Sequence, residues 1–376
     1  MRNVTNPIFN DNRMKLGIFC TNGRGASMTT VPEQKETDWA ESLRTAKMAD
    51  AAGFEAIVPF ARWKGYLPGK PQHFSGRVFD PFIFAAGIAQ ATNYSAVFST
   101  SHVPTIHPIL AAKQGATVDH ISGGRFALNV VGGWNRPELE MFGNPMKEHD
   151  KRYDHADEWL SILQRLWTET EEFTHHGEFF DILLGMSEPK PVQAHVPIMN
   201  AGGSDRGRHF AAKNADMCFV ILHTEDEATC RRQVDEYKTL AREAYGREVQ
   251  VWIHTYVVQR DTQKEADDYL NYFAVENRDE ECLAAWMAGQ AANTQVMPPD
   301  VLRQLELRFS AGAGGFPLVG TAERIADKLQ MLERAGVAGA LLTWVDYGDG
   351  IARWSSEVSP LLEQAGLRRK FEGAGV

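Results

Sequence analysis

Eight short apolar runs recur along the chain, and each is followed by a stretch with helical spacing. The runs are KLGIFC (15–20), EAIVPF (55–60), SAVFSTSH (95–102), FALNVV (126–131), VPIMNAG (196–202), MCFVIL (217–222), VQVWIHTYVVQ (249–259) and GALLTWVDY (339–347). Strand and helix in strict alternation imply parallel strands with right-handed crossovers. Eight such units favour closure into a (β/α)8 TIM barrel over an open doubly wound sheet, and no Gly-x-Gly-x-x-Gly follows the first run. The helical stretches carry their own signals. Trp39, Leu43, Ala46 and Ala49 share one apolar face, as do Tyr153, Ala156, Leu160, Leu163 and Leu166. Pro108 opens another helix and Gly123 falls just past its end.

Two stretches break the repeat. Residues 170–193, TEEFTHHGEFFDILLGMSEPKPVQ, read as a β-hairpin excursion. Residues 280–320 read as helix followed by a mobile glycine-rich segment, SAGAGGFPLVG, placed to act as a lid. Neither has the core to fold alone, so residues 1–376 are expected to form one barrel domain with two insertions. The formal net charge of -10, with no basic block, argues against nucleic acid or an anionic membrane as a partner. Four scattered cysteines without a C-x-x-C fit reduced thiols better than disulfides or a zinc site. No apolar run is long enough to span a bilayer, so a cytoplasmic location is expected.

In such a barrel the chemistry gathers at the carboxyl ends of the strands. Asn129 interrupts the apolar run FALNVV, and Trp134, Asn135, Arg136 and Glu138 follow in the next loop. Asn129 is either a satisfied buried amide or a ligand-facing one; its place near a strand end favours the ligand. The stretch SHVPTIHP puts Thr105 at the same mouth, with His102 and His107. Those histidines lack helical spacing and an obvious carboxylate partner, so no metal is expected. In NAGGSDRGRHF, Gly202 and Gly203 precede a helix that Ser204 or Asp205 can cap, an arrangement suited to a phosphate. Arg152 and Tyr153 begin another helix on that rim.

Taken together and in order, AAKQGATVDHISGGRFALNVVGGW, EHDKRYDHADEW, NAGGSDRGR and LVGTAERIADKL resemble the bacterial-luciferase-like, reduced-flavin-dependent monooxygenases. GGWNRPE and GALLTWVDYGDGI look most like the pyrimidine monooxygenases, and EHDKRY also like the dimethyl sulfone and alkanesulfonate monooxygenases. The resemblance implies FMN at the barrel mouth, delivered as FMNH2 by a separate NAD(P)H:flavin reductase, and O2 as co-substrate. It implies that Asn129 bonds the flavin ring, that Glu138 binds flavin, and that Arg152, Tyr153, Gly203 and Ser204 surround its phosphate. It places Ala61 and Arg62 against the flavin, and makes Thr105, Asn129 and Trp134 the catalytic set. It also implies a homodimer or homotetramer. The expected substrate is a small polar N-heterocycle of pyrimidine or pyridine type that undergoes C–N cleavage. Arg62, Trp63 and Lys64 could offer it a cation and an aromatic face. The rivals are a small sulfone or sulfonate with C–S cleavage, and a deazaflavin-dependent oxidoreductase on the same barrel.

Overall fold

In a computed structural model that describes residues 6–289 and 299–373, the eight apolar runs all become strands. In chain order the strands are β1 (Lys15–Phe19), β2 (Ala56–Val58), β3 (Ala96–His102), β4 (Phe126–Val131), β5 (Phe173–His176), β6 (Asp181–Gly185), β7 (Ile198–Asn200), β8 (Met217–Val220), β9 (Gln250–Gln259), β10 (Phe316–Gly320) and β11 (Gly339–Thr343). The parallel ring runs β1-β2-β3-β4-β7-β8-β9-β11 and closes where β11 pairs with β1. The expected (β/α)8 barrel is therefore the observed fold. The helices used below are α1 (Trp39–Ala51), α2 (Pro81–Ala91), α3 (Pro108–Ser122), α4 (Arg136–Met141), α5 (His149–Thr168), α6 (Asp205–Asn214), α7 (Glu227–Tyr245), α8 (Gln263–Asn271), α9 (Glu280–Gly289) and α10 (Pro299–Gly312). No helix among the described residues is long and apolar enough to cross a membrane.

Side chains alternate along each strand, and this separates two layers of core. Ala56, Val58, Phe98, Ala127, Met199, Met217, Trp252 and Leu341 fill the barrel interior, with Ile8 joining them from the turn Pro7–Phe9. Leu128, Val130, Val97 and Ile57 point the other way, into the larger cluster shared with the helices. The period of two then places Asn129 with Ala127, and Thr100 and His102 with Phe98, on the interior face. Helix limits follow local chemistry. His107 caps α3, Pro108 takes its first position, and Gly123 closes it at a φ of 66°.

The two excursions had different outcomes. Residues 173–185 do form an antiparallel hairpin, β5–β6. The glycine-rich 310–320 segment is no mobile lid: it is the end of α10 and the fully buried strand β10. The cause lies in β9, which runs past β8 and offers a free edge that Phe316–Gly320 pairs in parallel. Its glycines serve close packing. A Cβ at Gly312 would lie 2.6 Å from the Tyr256 Cβ. Residues 290–298 of the expected second insertion lie outside the described residues.

Candidate active site

A cavity of about 610 Å³ opens at the carboxyl ends of the strands, within the range of roughly 300–1,000 Å³ usual for small-molecule sites. Its floor is built by β3 and β4. Asn129 is buried and donates from Nδ2 to Thr100 Oγ1 at 3.1 Å, while Thr100 donates to the Pro59 carbonyl at 2.5 Å. That chain of bonds fixes the amide and leaves Asn129 Oδ1 buried without a partner. A buried acceptor left unpaired costs about 1–3 kcal/mol, which a ligand N–H can offset.

Beside it, His102 lines the cavity, and its Nδ1 lies 3.1 Å from Glu138 Oε1. Glu138 is fully buried in α4, and its other oxygen accepts from Asn135 Nδ2 at 3.1 Å. A carboxylate on Nδ1 favours the proton there and leaves Nε2 as the free ring nitrogen. Glu138 therefore reaches the cavity through His102. Thr105 lies outside the main lining: it sits in a short turn, donates to the His102 carbonyl at 2.8 Å, and borders a separate cavity of about 170 Å³. Thr100 borders both cavities.

One rim is made by the starts of α5 and α6. Ser204 caps α6 by accepting from Gly207 N at 3.0 Å, and Gly203 leaves the space before it open. Tyr153 packs its hydroxyl against Gly207, and burial raises its pKa. Arg152 donates from Nη1 to the Gly133 carbonyl at 2.6 Å, and its buried Nε has no partner. Arg152, Tyr153 and Ala201 line the cavity; Gly203 and Ser204 stand just outside. Arg206 is tied to Asp154 and Asp157 at 3.0 and 2.7 Å and stays with the scaffold.

The roof comes from distant pieces of chain. The loop after β2 brings Ala61, Arg62, Tyr66 and Phe74 to the cavity, and α9 and α10 bring Cys282, Trp286 and Phe309. Trp286 stacks on Phe309 with centroids 3.6 Å apart. His73 Nε2 meets Asp279 Oδ2 at 2.9 Å, and Lys70 pairs with Glu281, so the loop is fastened to α9. Trp134 joins this wall from the loop after β4, 6.2 Å from Tyr66. Burial pushes the Cys282 thiol up to about 12 and raises Cys20 as well, so neither offers a thiolate near neutral pH. The described lining also contains no carboxylate. His102 is left as a lining group suited to proton transfer, while electron transfer and oxygen chemistry are the work of bound cofactors.

The site thus joins most of the residues expected from the sequence: Ala61, Arg62, Asn129, Trp134, Arg152 and Tyr153 share one cavity. Thr100, the His102–Glu138 pair and the roof aromatics were not anticipated in these roles. Only the alternation within SAVFSTSH could have pointed to Thr100 and His102.

These features define a class, a (β/α)8 barrel whose mouth is built for a sizeable organic ligand. The chain belongs to the luciferase-like monooxygenase family, whose model matches residues 14–339, and it is a flavin-dependent monooxygenase of that family. It is 28% identical over 355 residues to the pyrimidine monooxygenase RutA of Acinetobacter baylyi, covering 93% of this chain and 95% of that one. It is 28% identical to the FMNH2-dependent dimethylsulfone monooxygenase of Pseudomonas fluorescens, covering 96% and 97%. Among solved structures, the long-chain alkane monooxygenase LadA superposes with a TM-score of 0.80 at 25% identity, covering 96% of this chain and 93% of that one.

Proposed function

We propose that this protein is a two-component monooxygenase. It takes FMNH2 from a separate reductase and inserts one atom of O2 into a small polar N-heterocycle, next to nitrogen, so that a C–N bond breaks. The observation that carries the flavin part is the buried, unpartnered Oδ1 of Asn129 on the cavity floor. An N–H at the edge of a flat ring satisfies it. The residues present fit FMN as a whole: the amide takes the ring's polar edge, and Arg152, Tyr153, Ser204 and the start of α6 take the phosphate. When bound, reduced flavin supplies two electrons for oxygen activation, with the second oxygen atom leaving as water.

The chain's own part is placement and proton handling. Thr100 holds Asn129, and Asn129 sets the ring's position. Glu138 orients His102 so that Nε2 can accept or return a proton at the reacting centre. Trp134, Tyr66 and Phe74 line the cavity and would keep water from a bound flavin. The heterocycle reading is supported by the similarity to pyrimidine monooxygenases over most of the chain and by Gly133 and Trp134 of the GGWNRPE loop, which line the cavity. The decisive assay supplies chemically reduced FMN, isotope-labelled O2 and pyrimidine or pyridine substrates, without NAD(P)H. A ring-opened product carrying one labelled oxygen is expected. Full turnover on NADH or NADPH alone would overturn the two-component reading, and sulfite or sulfinate release from sulfones with no ring opening would overturn the substrate.

A further inference from the structure

The charge around the cavity runs against the charge of the chain. The protein carries a formal net charge of -10. Yet the described lining holds three arginines, Arg24, Arg62 and Arg152, and no aspartate or glutamate. The proposed flavin phosphate accounts for Arg152. The other two belong to the roof. The Arg24 guanidinium lies 4.6 Å from the Phe74 ring centre, and that of Arg62 lies 4.3 Å from Tyr66.

Among the described residues Arg62 has no carboxylate within ion-pair distance, and Arg24 has only a distant, shared one. Arg24 Nε approaches Glu36 only to 3.7 Å, and Glu36 is exposed and divided with Arg77 at 3.5 Å. Arg62 has rings in place of an acid, with Trp134 at 5.4 Å and Phe60 at 5.5 Å besides Tyr66. The Nε atoms of both arginines are buried with no hydrogen-bond partner. Arginine does not lose its proton to escape such a place. Stacking on aromatic faces holds the guanidinium plane and leaves its N–H edge for a two-oxygen acceptor.

We infer that the substrate is itself an anion: a flat ring bearing a carboxylate or sulfonate, with the acid group received by Arg62 and Arg24 and the ring by Tyr66, Phe74 and Trp134. The inference rests on the flavin reading to the extent that FMN occupies the Asn129 and Arg152 side. It refines the heterocycle class and gives Arg62 a partner other than the flavin.

The test uses the FMN-loaded protein and three matched probes: pyridine-3-carboxylate, pyridine-3-sulfonate and the uncharged pyridine-3-carboxamide. Equilibrium titration should show at least one anion binding about tenfold or more tightly than the amide at low salt, with the margin shrinking as salt is raised. The stronger of the two anions identifies the acid group. In Arg62→Met and in Arg24→Met the margin should collapse while FMN affinity stays within about twofold, since the phosphate contacts are untouched. Equal binding of amide and anions would overturn the inference. So would a margin that survives in both variants, or FMN affinity that falls in both while the margin stays. Failure of the wild type to take up FMN would remove the flavin reading instead. The same probes titrated by calorimetry into the flavin-free protein would still read the preference for anions.

Discussion

The floor and the roof of the cavity are built in opposite ways. On the floor, Thr100 and Asn129 are register partners on adjacent parallel strands, and the bond between their side chains follows from that pairing. The backbone there is held by the barrel, so the polar groups are set before any ligand arrives. The roof joins a loop following β2 to helices more than 200 positions later, through His73–Asp279 and ring contacts. Such a surface can change its side chains without disturbing the strands. The difference teaches a division of labour: the floor suits a cofactor common to a family, and the roof suits a substrate particular to one member.

Changes that cross this division should separate cleanly. The largest effect is expected from His102→Gln, which removes the proton-handling ring while leaving the cavity's shape: kcat should fall roughly a hundredfold or more with flavin affinity preserved. Stopped-flow turnover alongside FMN titration checks both halves. Gly202→Ala comes next. Its Cβ would stand 2.2 Å from the Gly207 carbonyl oxygen and 2.8 Å from Asn200 Oδ1, so the turn into α6 must open. Losing the backbone and cap geometry around a phosphate is worth about 3 kcal/mol, or roughly a hundredfold in FMN affinity. Asn129→Ala should weaken FMN by about tenfold, the worth of one directed hydrogen bond whose partner is left buried. Unchanged flavin affinity in that variant would break the comparison on the floor side.

On the roof, His73→Ala should raise KM for the organic substrate by about threefold to tenfold and leave FMN affinity alone. The smallest effect concerns acid. His254 is buried on β9 with its ring 5.2 Å from Phe19, and burial, reinforced by Arg308, lowers its pKa to about 3. The folded protein keeps this ring neutral, whereas the unfolded chain takes up a proton as pH falls below about 6.5. Stability is therefore complete above that pH and is lost progressively on the way down. Thermal midpoints measured at pH 7.5, 6.0 and 5.0 should fall in order, and His254→Gln should flatten the slope.

Much of this was legible in the sequence because strands and helix caps are local. FALNVV announced Asn129 by a polar residue in an apolar run, and NAGGSDRGR announced the capped start of α6. Pro108 and Gly123 marked α3 at both ends. What escaped depends on distance or on the double meaning of glycine. The pairing of His102 with Glu138 joins residues 36 positions apart, and neither signals the other. Thr105 was expected at the mouth and borders the smaller cavity, while Thr100, placed by the strand period, bonds Asn129 in the main one. The glycines of SAGAGGFPLVG suggested mobility, yet at Gly312 and Gly315 Tyr256 and Thr255 pack where side chains would otherwise stand.

The division between floor and roof is tested most directly by amide hydrogen exchange of the protein with and without FMN. Peptides covering 127–133, 150–155 and 200–208 should gain protection when FMN binds, while those covering 66–79 and 280–288 should change little until substrate is added. Protection confined to the roof peptides, with none on β4 or at the start of α6, would contradict the account.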